Sequence, residues 1–185
     1  GYRDSIFKGE LKGKGIITAV ELAIPKEWKP NCRYAGLTNL ENKRAIDIFD
    51  KVINIRQSKL PDPSEIPNVG SFFKNPVIPV ALFKQVKEIY PEIASYPVDG
   101  NKVKLAAGWL IEQAGLKGKS LGGAAVHTNQ ALVLVNKGNA TGSDLIGLAK
   151  LVQKTVLGKF NILIEPEVRL IGRTGEQKLS DFSYE

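Results

Sequence analysis

The stretch Ala131-Leu132-Val133-Leu134-Val135-Asn136 is six residues long, aliphatic almost throughout and closed by a turn-forming asparagine. A run this short and this apolar, bounded by turn residues, predicts a strand buried on both faces. Immediately before it, Gly122-Gly123-Ala124-Ala125-Val126 leads into the same buried region. Immediately after it, Thr141 to Leu157 carries helical periodicity, with Thr141 or Ser143 as the expected N-cap.

Working outward, Pro79 to Tyr90 reads as a helix opened by proline. Ala106 to Ala114 reads as another, stopped by Gly115 in a left-handed cap. Ala45 to Ile55 has apolar residues on a helical repeat. Ile16 to Leu22 is β-branched and apolar and predicts a strand ended by Pro25. Asn161 to Ile171 is strand-like around Glu165-Pro166-Glu167, and the tail from Arg173 onward is polar and expected to fray. Helices and strands are mixed along the chain without internal repeats, and the expected fold class is α+β. Leu60-Pro61-Asp62-Pro63-Ser64-Glu65-Ile66-Pro67 holds three prolines, which remove N–H donors and fix φ. It predicts an ordered loop or linker, and the domain boundary falls there.

Composition narrows the function classes. The chain has 185 residues, 43% of them hydrophobic and 24% charged, as in ordinary globular proteins. The 26 basic and 19 acidic residues leave a formal charge of 26 − 19 = +7. That favours an anionic partner, but the basic residues are dispersed, and no RNA-binding aromatic motif accompanies them. A nucleic-acid partner is therefore not expected. No apolar run reaches the roughly 18 residues of a membrane span. Gly1 to Glu10 lacks the apolar core of a signal peptide. A single cysteine, Cys32, permits no internal disulfide, which fits a cytoplasmic location. The chain has no methionine, which reads as a piece of a longer polypeptide.

Several motifs carry possible chemistry. Gly70-Ser71-Phe72-Phe73-Lys74-Asn75-Pro76 sets a hydroxyl, a cation and an amide among aromatics. It is either an edge strand with a turn or a site that offers a hydroxyl proton and contacts a phosphate. Glu165 and Glu167 share one face if the segment is extended. They form a solvated face or a pair whose members cannot both stay charged without a cation nearby. His127 is the only histidine, so no metal site is expected, and a structural role or a minor ligand contact fits it. The glycines at 115, 118, 122 and 123 lie between a helix and a following strand. A dinucleotide fingerprint needs strand before helix, which excludes it here.

These motifs together resemble those of the UDP-N-acetylenolpyruvoylglucosamine reductases. The resemblance rests on Gly1-Tyr2-Arg3-Asp4-Ser5-Ile6-Phe7-Lys8, Lys59-Leu60-Pro61-Asp62-Pro63 and Gly70 to Pro76. It continues through Lys104-Leu105-Ala106-Ala107-Gly108-Trp109-Leu110-Ile111, Gly122 to His127, Gln130 to Asn136 and Glu165-Pro166-Glu167-Val168-Arg169. The stretches occur in the family's order from Gly1 to about Gly172. The resemblance implies an enzyme of peptidoglycan precursor synthesis that reduces UDP-N-acetylglucosamine enolpyruvate to UDP-N-acetylmuramate. It implies FAD as the hydride carrier, NADPH as its reductant, and a proton added beside the hydride. Ser71 corresponds to the family's proton donor, and Arg3 and Glu167 to the groups that stabilise the intermediate. Tyr34, Lys59, Asn75 and Gln130 correspond to contacts with the UDP moiety.

The same resemblance implies that residues 1–59 close a flavin-binding domain, 60–160 form the substrate domain, and 161–185 return to the flavin side with a polar tail. The amino-terminal flavin-binding half would be a missing partner, and this chain alone would be inactive. A UDP-sugar binding module without turnover is the alternative reading.

Overall fold

The computed structural model describes residues 2–34, 36–98 and 100–182. The chain divides into two compact units, Gly1–Ile48 and Phe49–Glu185. The sequence places a domain boundary after Lys59; the division in the structure falls eleven residues earlier, within a helix.

The first unit opens with a single 3-10 turn, Ile6–Lys8, followed by further turns to about residue 14. Residues 15–25 then run without regular structure. This departs from the strand expected at Ile16–Leu22. The local preference for extended backbone is satisfied, but a strand also needs a neighbour for its N–H and C=O groups. Among the described residues none pairs with this segment.

Helix α1, Ala45–Lys59, extends one turn beyond the expected Ile55. Asp47 stabilises its start, its carboxylate accepting from the backbone N–H and the guanidinium of Arg44. The proline-rich stretch that follows is an ordered loop. The Asp62 carboxylate accepts from the Ser64 N–H at 2.9 Å and the Ser64 hydroxyl at 2.7 Å, which closes an Asx turn.

The second unit is built on antiparallel sheets. Its strands are β1 (Asn68–Ser71), β2 (Val77–Pro79), β3 (Ser95–Pro97), β4 (Lys102–Leu105), β5 (Ser120–Leu121), β6 (Ala124–Val126) and β7 (Val133–Asn136). One sheet has the order β1-β7-β6-β5 and another the order β2-β4-β3. The strand that anchors the reading, β7, lies inside the first sheet with Val133, Leu134 and Val135 all buried. Between Asn68 and Ser71 the register with β7 shifts, and Gly70 at φ +75° supplies the left-handed residue such an irregularity needs.

Helices α2 (Val80–Ile89), α3 (Ala107–Gln113) and α4 (Gly142–Phe160) complete the unit. Helix α4 packs on β5 and β6. It buries Leu148, Val152, Val156 and Phe160, spaced four apart on one face. Of the two candidate caps, Thr141 is the one used. Its Oγ1 accepts from the Asp144 N–H at 3.1 Å, and Asp144 accepts from the Thr141 N–H at 2.9 Å, a reciprocal capping box. Helix α3 ends as expected, with Gly115 at φ +75° and the Leu116 N–H donating back to Ile111. The core joins Leu105, Leu110, Ile111, Val126, Leu134, Leu148, Ile162 and Ile164. Each such side chain contributes about 1.5–3 kcal/mol by leaving water.

The tail is more ordered than its polarity suggests. Strands β8 (Leu170–Gly172) and β9 (Gly175–Gln177) form a hairpin braced by an Arg169–Glu176 ion pair at 2.9 Å. Leu179, inside a 3-10 turn, is buried in the main core, and Lys150 binds the Phe182 carbonyl. The hairpin, the buried Leu179 and the Lys150 bond together order this polar segment. No helix among the described residues is long and apolar enough to cross a membrane.

Candidate active site and groove

Ser71 ends β1, half-buried, with Val133 of β7 as its Cα partner. The chain then leaves the first sheet and finds a second partner. The Phe72 N–H donates to the Leu132 carbonyl at 2.8 Å, while the Phe72 carbonyl accepts from the Glu167 N–H at 2.7 Å. Phe73 forms an antiparallel bridge with Pro166, and the Lys74 N–H donates to the Glu165 carbonyl at 2.8 Å. Pro166 cannot donate, so a short bridge rather than a full strand is what this sequence permits. Buried Phe72 and Phe73, ring centroids 5.1 Å apart, anchor this crossing in the main core. The Ser71 and Glu167 positions therefore lie on neighbouring backbone segments.

Asn75 and Gln130 converge on the first turn of α3. The Asn75 Oδ1 accepts from the Ala107 N–H at 2.9 Å, one of the donors a helix start leaves unsatisfied. The Gln130 Oε1 lies against Gly108, where an added Cβ would sit 3.4 Å from it. Lys74, by contrast, reaches the exposed carboxylate of Glu165 at 3.4 Å.

Beside these residues opens a groove of about 700 Å³, in the size range of small-molecule sites. Lys59, Arg56, Asp62, Gly70, His127 and Asn129 are among its lining residues. Its charges are mixed. Hydrogen bonds from the Ser64 hydroxyl and N–H hold the Asp62 carboxyl below the usual carboxylate range. His127 Nδ1 accepts from the Gln130 N–H at 3.1 Å. His127 thus has the structural bond expected of it, and it also faces the groove. Arg56 and Asn129 went unnoticed in the sequence. A basic residue in the last turn of α1 and the turn His127-Thr128-Asn129-Gln130 were the available signals.

Of the sequence-assigned site residues, the second unit holds Ser71, Glu167, Asn75, Gln130 and Lys59, and only Lys59 lines the groove itself. Arg3 and Tyr34 belong to the first unit. Arg3 sits at φ +53°, its guanidinium 5.8 Å from the Tyr2 ring centroid and its carbonyl accepting from the Lys8 Nζ. Tyr34 is largely exposed.

The glycine pair has a packing reason. A Cβ on Gly122 would overlap the Asp144 carboxylate, and one on Gly123 would overlap the backbone of Asn139 and Ala140.

Antiparallel sheets backed by helices, with a lateral groove beside a serine-bearing strand end, define an α+β domain of the ligand-site type. The chain belongs to the UDP-N-acetylenolpyruvoylglucosamine reductase family, whose C-terminal domain matches residues 62–171. It is 49% identical over 183 residues to the UDP-N-acetylenolpyruvoylglucosamine reductase of Shewanella sediminis, covering 98% of this chain and 53% of that protein. The reductase of the same name from Photobacterium profundum is 51% identical, again over 98% of this chain and 53% of that one. The chain therefore spans about half the length of the curated relatives it matches. Among solved structures, it is similar to the reductase (MurB) of Thermus caldophilus with TM-score 0.41 and 22% identity, over 66% of this chain and 34% of that one. That likeness is too low to add to the argument.

Proposed function

We propose that this chain is the substrate-binding and proton-donating portion of an enzyme that reduces the enolpyruvyl double bond of UDP-N-acetylglucosamine enolpyruvate. The observation that carries the reading is the backbone bond between Glu167 and Phe72. It keeps a carboxyl group and the Ser71 hydroxyl on adjoining segments, which a charge-stabilised proton transfer requires.

Reducing an enol ether beside a carboxylate leaves an enolate-like carbanion once hydride has added. Ser71 gives its proton to that carbon, and the basicity of the intermediate is what makes a weakly acidic hydroxyl competent. Arg3 grips the substrate carboxylate through paired hydrogen bonds and draws electron density toward it. Glu167 donates to the same carboxylate in its protonated form or acts through Arg3. Lys59, Asn75, Gln130 and Tyr34 hold the UDP moiety, with Lys59 bringing its cation to the groove wall.

FAD, reduced by NADPH, supplies the hydride in this reading. The glycine-rich turn at 122–123 does not fit its phosphates. An acid, Asp144, lies against Gly122, and packed backbone lies against Gly123. The chain's own contribution is the proton, the charge and the substrate contacts, and most of the flavin-binding half belongs to polypeptide other than residues 1–185. Alone, this chain binds the UDP-sugar without turning it over. The domain limits 1–59, 60–160 and 161–185 and a cytoplasmic location belong to the same reading.

Isothermal calorimetry tests it. The complete natural protein is expected to bind the UDP-linked enolpyruvyl substrate and to lose affinity on Lys59→Ala or Gln130→Ala. A folded protein with no heat of binding for any UDP-sugar would overturn it.

A further inference from the structure

Gln153 occupies a place in α4 that the helix spacing reserves for an apolar residue. Ala149 stands four residues before it and Val156 three residues after it, and both are fully buried. An amide at the edge of a core is tolerated when it is hydrogen-bonded. The Gln153 Nε2 donates to the Ile164 carbonyl at 2.7 Å.

That carbonyl belongs to the segment that carries Glu167. The Glu165 carbonyl and the Glu167 N–H face residues 72–74, where they bond Lys74 and Phe72. In extended backbone, successive residues turn their polar groups to opposite sides, so those of 164 and 166 face away from 72–74. This second side offers a carbonyl at Ile164 but no N–H at Pro166. A neighbouring strand cannot pair in full there, and among the described residues no backbone N–H takes the Ile164 carbonyl. One side-chain amide from α4 takes it instead. Main chain thus holds the segment on one edge, and Gln153 holds it on the other, with Ile162 and Ile164 buried between.

We propose that Gln153 is a positioning residue for Glu167, fixing the Glu165-Pro166-Glu167 segment so that the carboxyl stays in register with the Ser71 strand end. Gln153 acts through the Ile164 carbonyl and the two peptide units that follow it. The proposal rests on the reading that Glu167 serves the reduction.

A double-mutant cycle in the complete natural enzyme tests it. Gln153→Met keeps the length and bulk of the side chain and removes the donor. It is expected to lower kcat about tenfold, as a displaced reacting group does, with calorimetric affinity for the UDP-linked substrate within about threefold of the parent. In a Glu167→Gln background the same change should cost less than about twofold, because the group being positioned is already lost. Gln153→Glu, which keeps the length but offers a carboxylate to a carbonyl, should behave alike and carries the test if the methionine variant does not fold. The proposal is overturned if kcat stays within about twofold of the parent in a folded variant. It is also overturned if the full loss persists in the Glu167→Gln background, which marks a general loosening of the fold. Glu167→Gln alone reports on the underlying reading: parent-like kcat there overturns that reading and this inference together, whereas a fall in kcat there with no effect at Gln153 overturns this inference alone.

Discussion

The backbone N–H of Glu167 donates to the carbonyl of Phe72 over 2.7 Å, and the residue before Phe72 is Ser71. A hydroxyl and a carboxyl from opposite ends of the second unit are thereby fixed by main chain, not by side-chain chance. Main-chain pairing tolerates substitution of either side chain. Variants at both positions should therefore fold, which makes them usable as chemical probes.

Glu167→Gln keeps the backbone bond and the side-chain shape while removing the ionisable group. In the complete enzyme, kcat is expected to fall about 10²–10⁴-fold, the range for a lost proton-transfer or charge-stabilising group. Melting temperature should stay within about 2 °C, as expected of a substitution that leaves packing intact. Steady-state kinetics with differential scanning calorimetry checks both.

Thr141→Ala removes the Oγ1 that accepts from the Asp144 N–H. The expected loss is about 1 kcal/mol of stability, read from urea unfolding.

Asp144 provides a pH test of the same cap. Hydrogen bonds from the Thr141 backbone and hydroxyl hold its carboxyl below the ordinary range. A carboxyl lowered in the folded state stabilises above its unfolded value, about 4, and that stability disappears as pH falls through the folded value. The stability advantage of the parent over Asp144→Ala should thus be full at neutral pH and shrink below about pH 4. Thermal unfolding across pH 2–7 measures it.

Asn75→Ala leaves the Ala107 N–H at the start of α3 without its acceptor. A loss of about 1–3 kcal/mol is expected from an orphaned donor near the core. Asn75→Asp, which keeps an acceptor and adds negative charge at a helix start, should recover most of it. If Asn75 also holds the UDP moiety, substrate affinity will fall in both variants, and calorimetry separates the two roles.

Much of this was legible from local rules. The buried strand at Ala131–Asn136, the helix from Thr141 with its cap, and the left-handed stop at Gly115 all follow from interactions within a few residues. The misreadings concern partners far along the chain. Ile16–Leu22 has strand chemistry, but among the described residues no strand pairs with it. The polar tail reads as frayed because the contacts that order it, Leu179 in the core and Lys150 on the Phe182 carbonyl, come from distant parts of the chain. The segment around Glu165-Pro166-Glu167 reads as strand-like, but its pairing with residues 72–74 could not be read from spacing, since the two lie about 90 residues apart. The α3 contact of Asn75 was hidden because its acceptor role depends on tertiary placement.

The central claim is that Ser71 supplies the proton to the reduced enolpyruvyl carbon. The most direct measurement is turnover of the complete natural protein with Ser71→Ala, followed by product formation, alongside calorimetric binding of the same substrate. The account predicts a kcat lower by about 10²–10⁴-fold, as for a missing general acid, with affinity within about threefold of the parent. Unchanged kcat in a protein that binds substrate normally would contradict it.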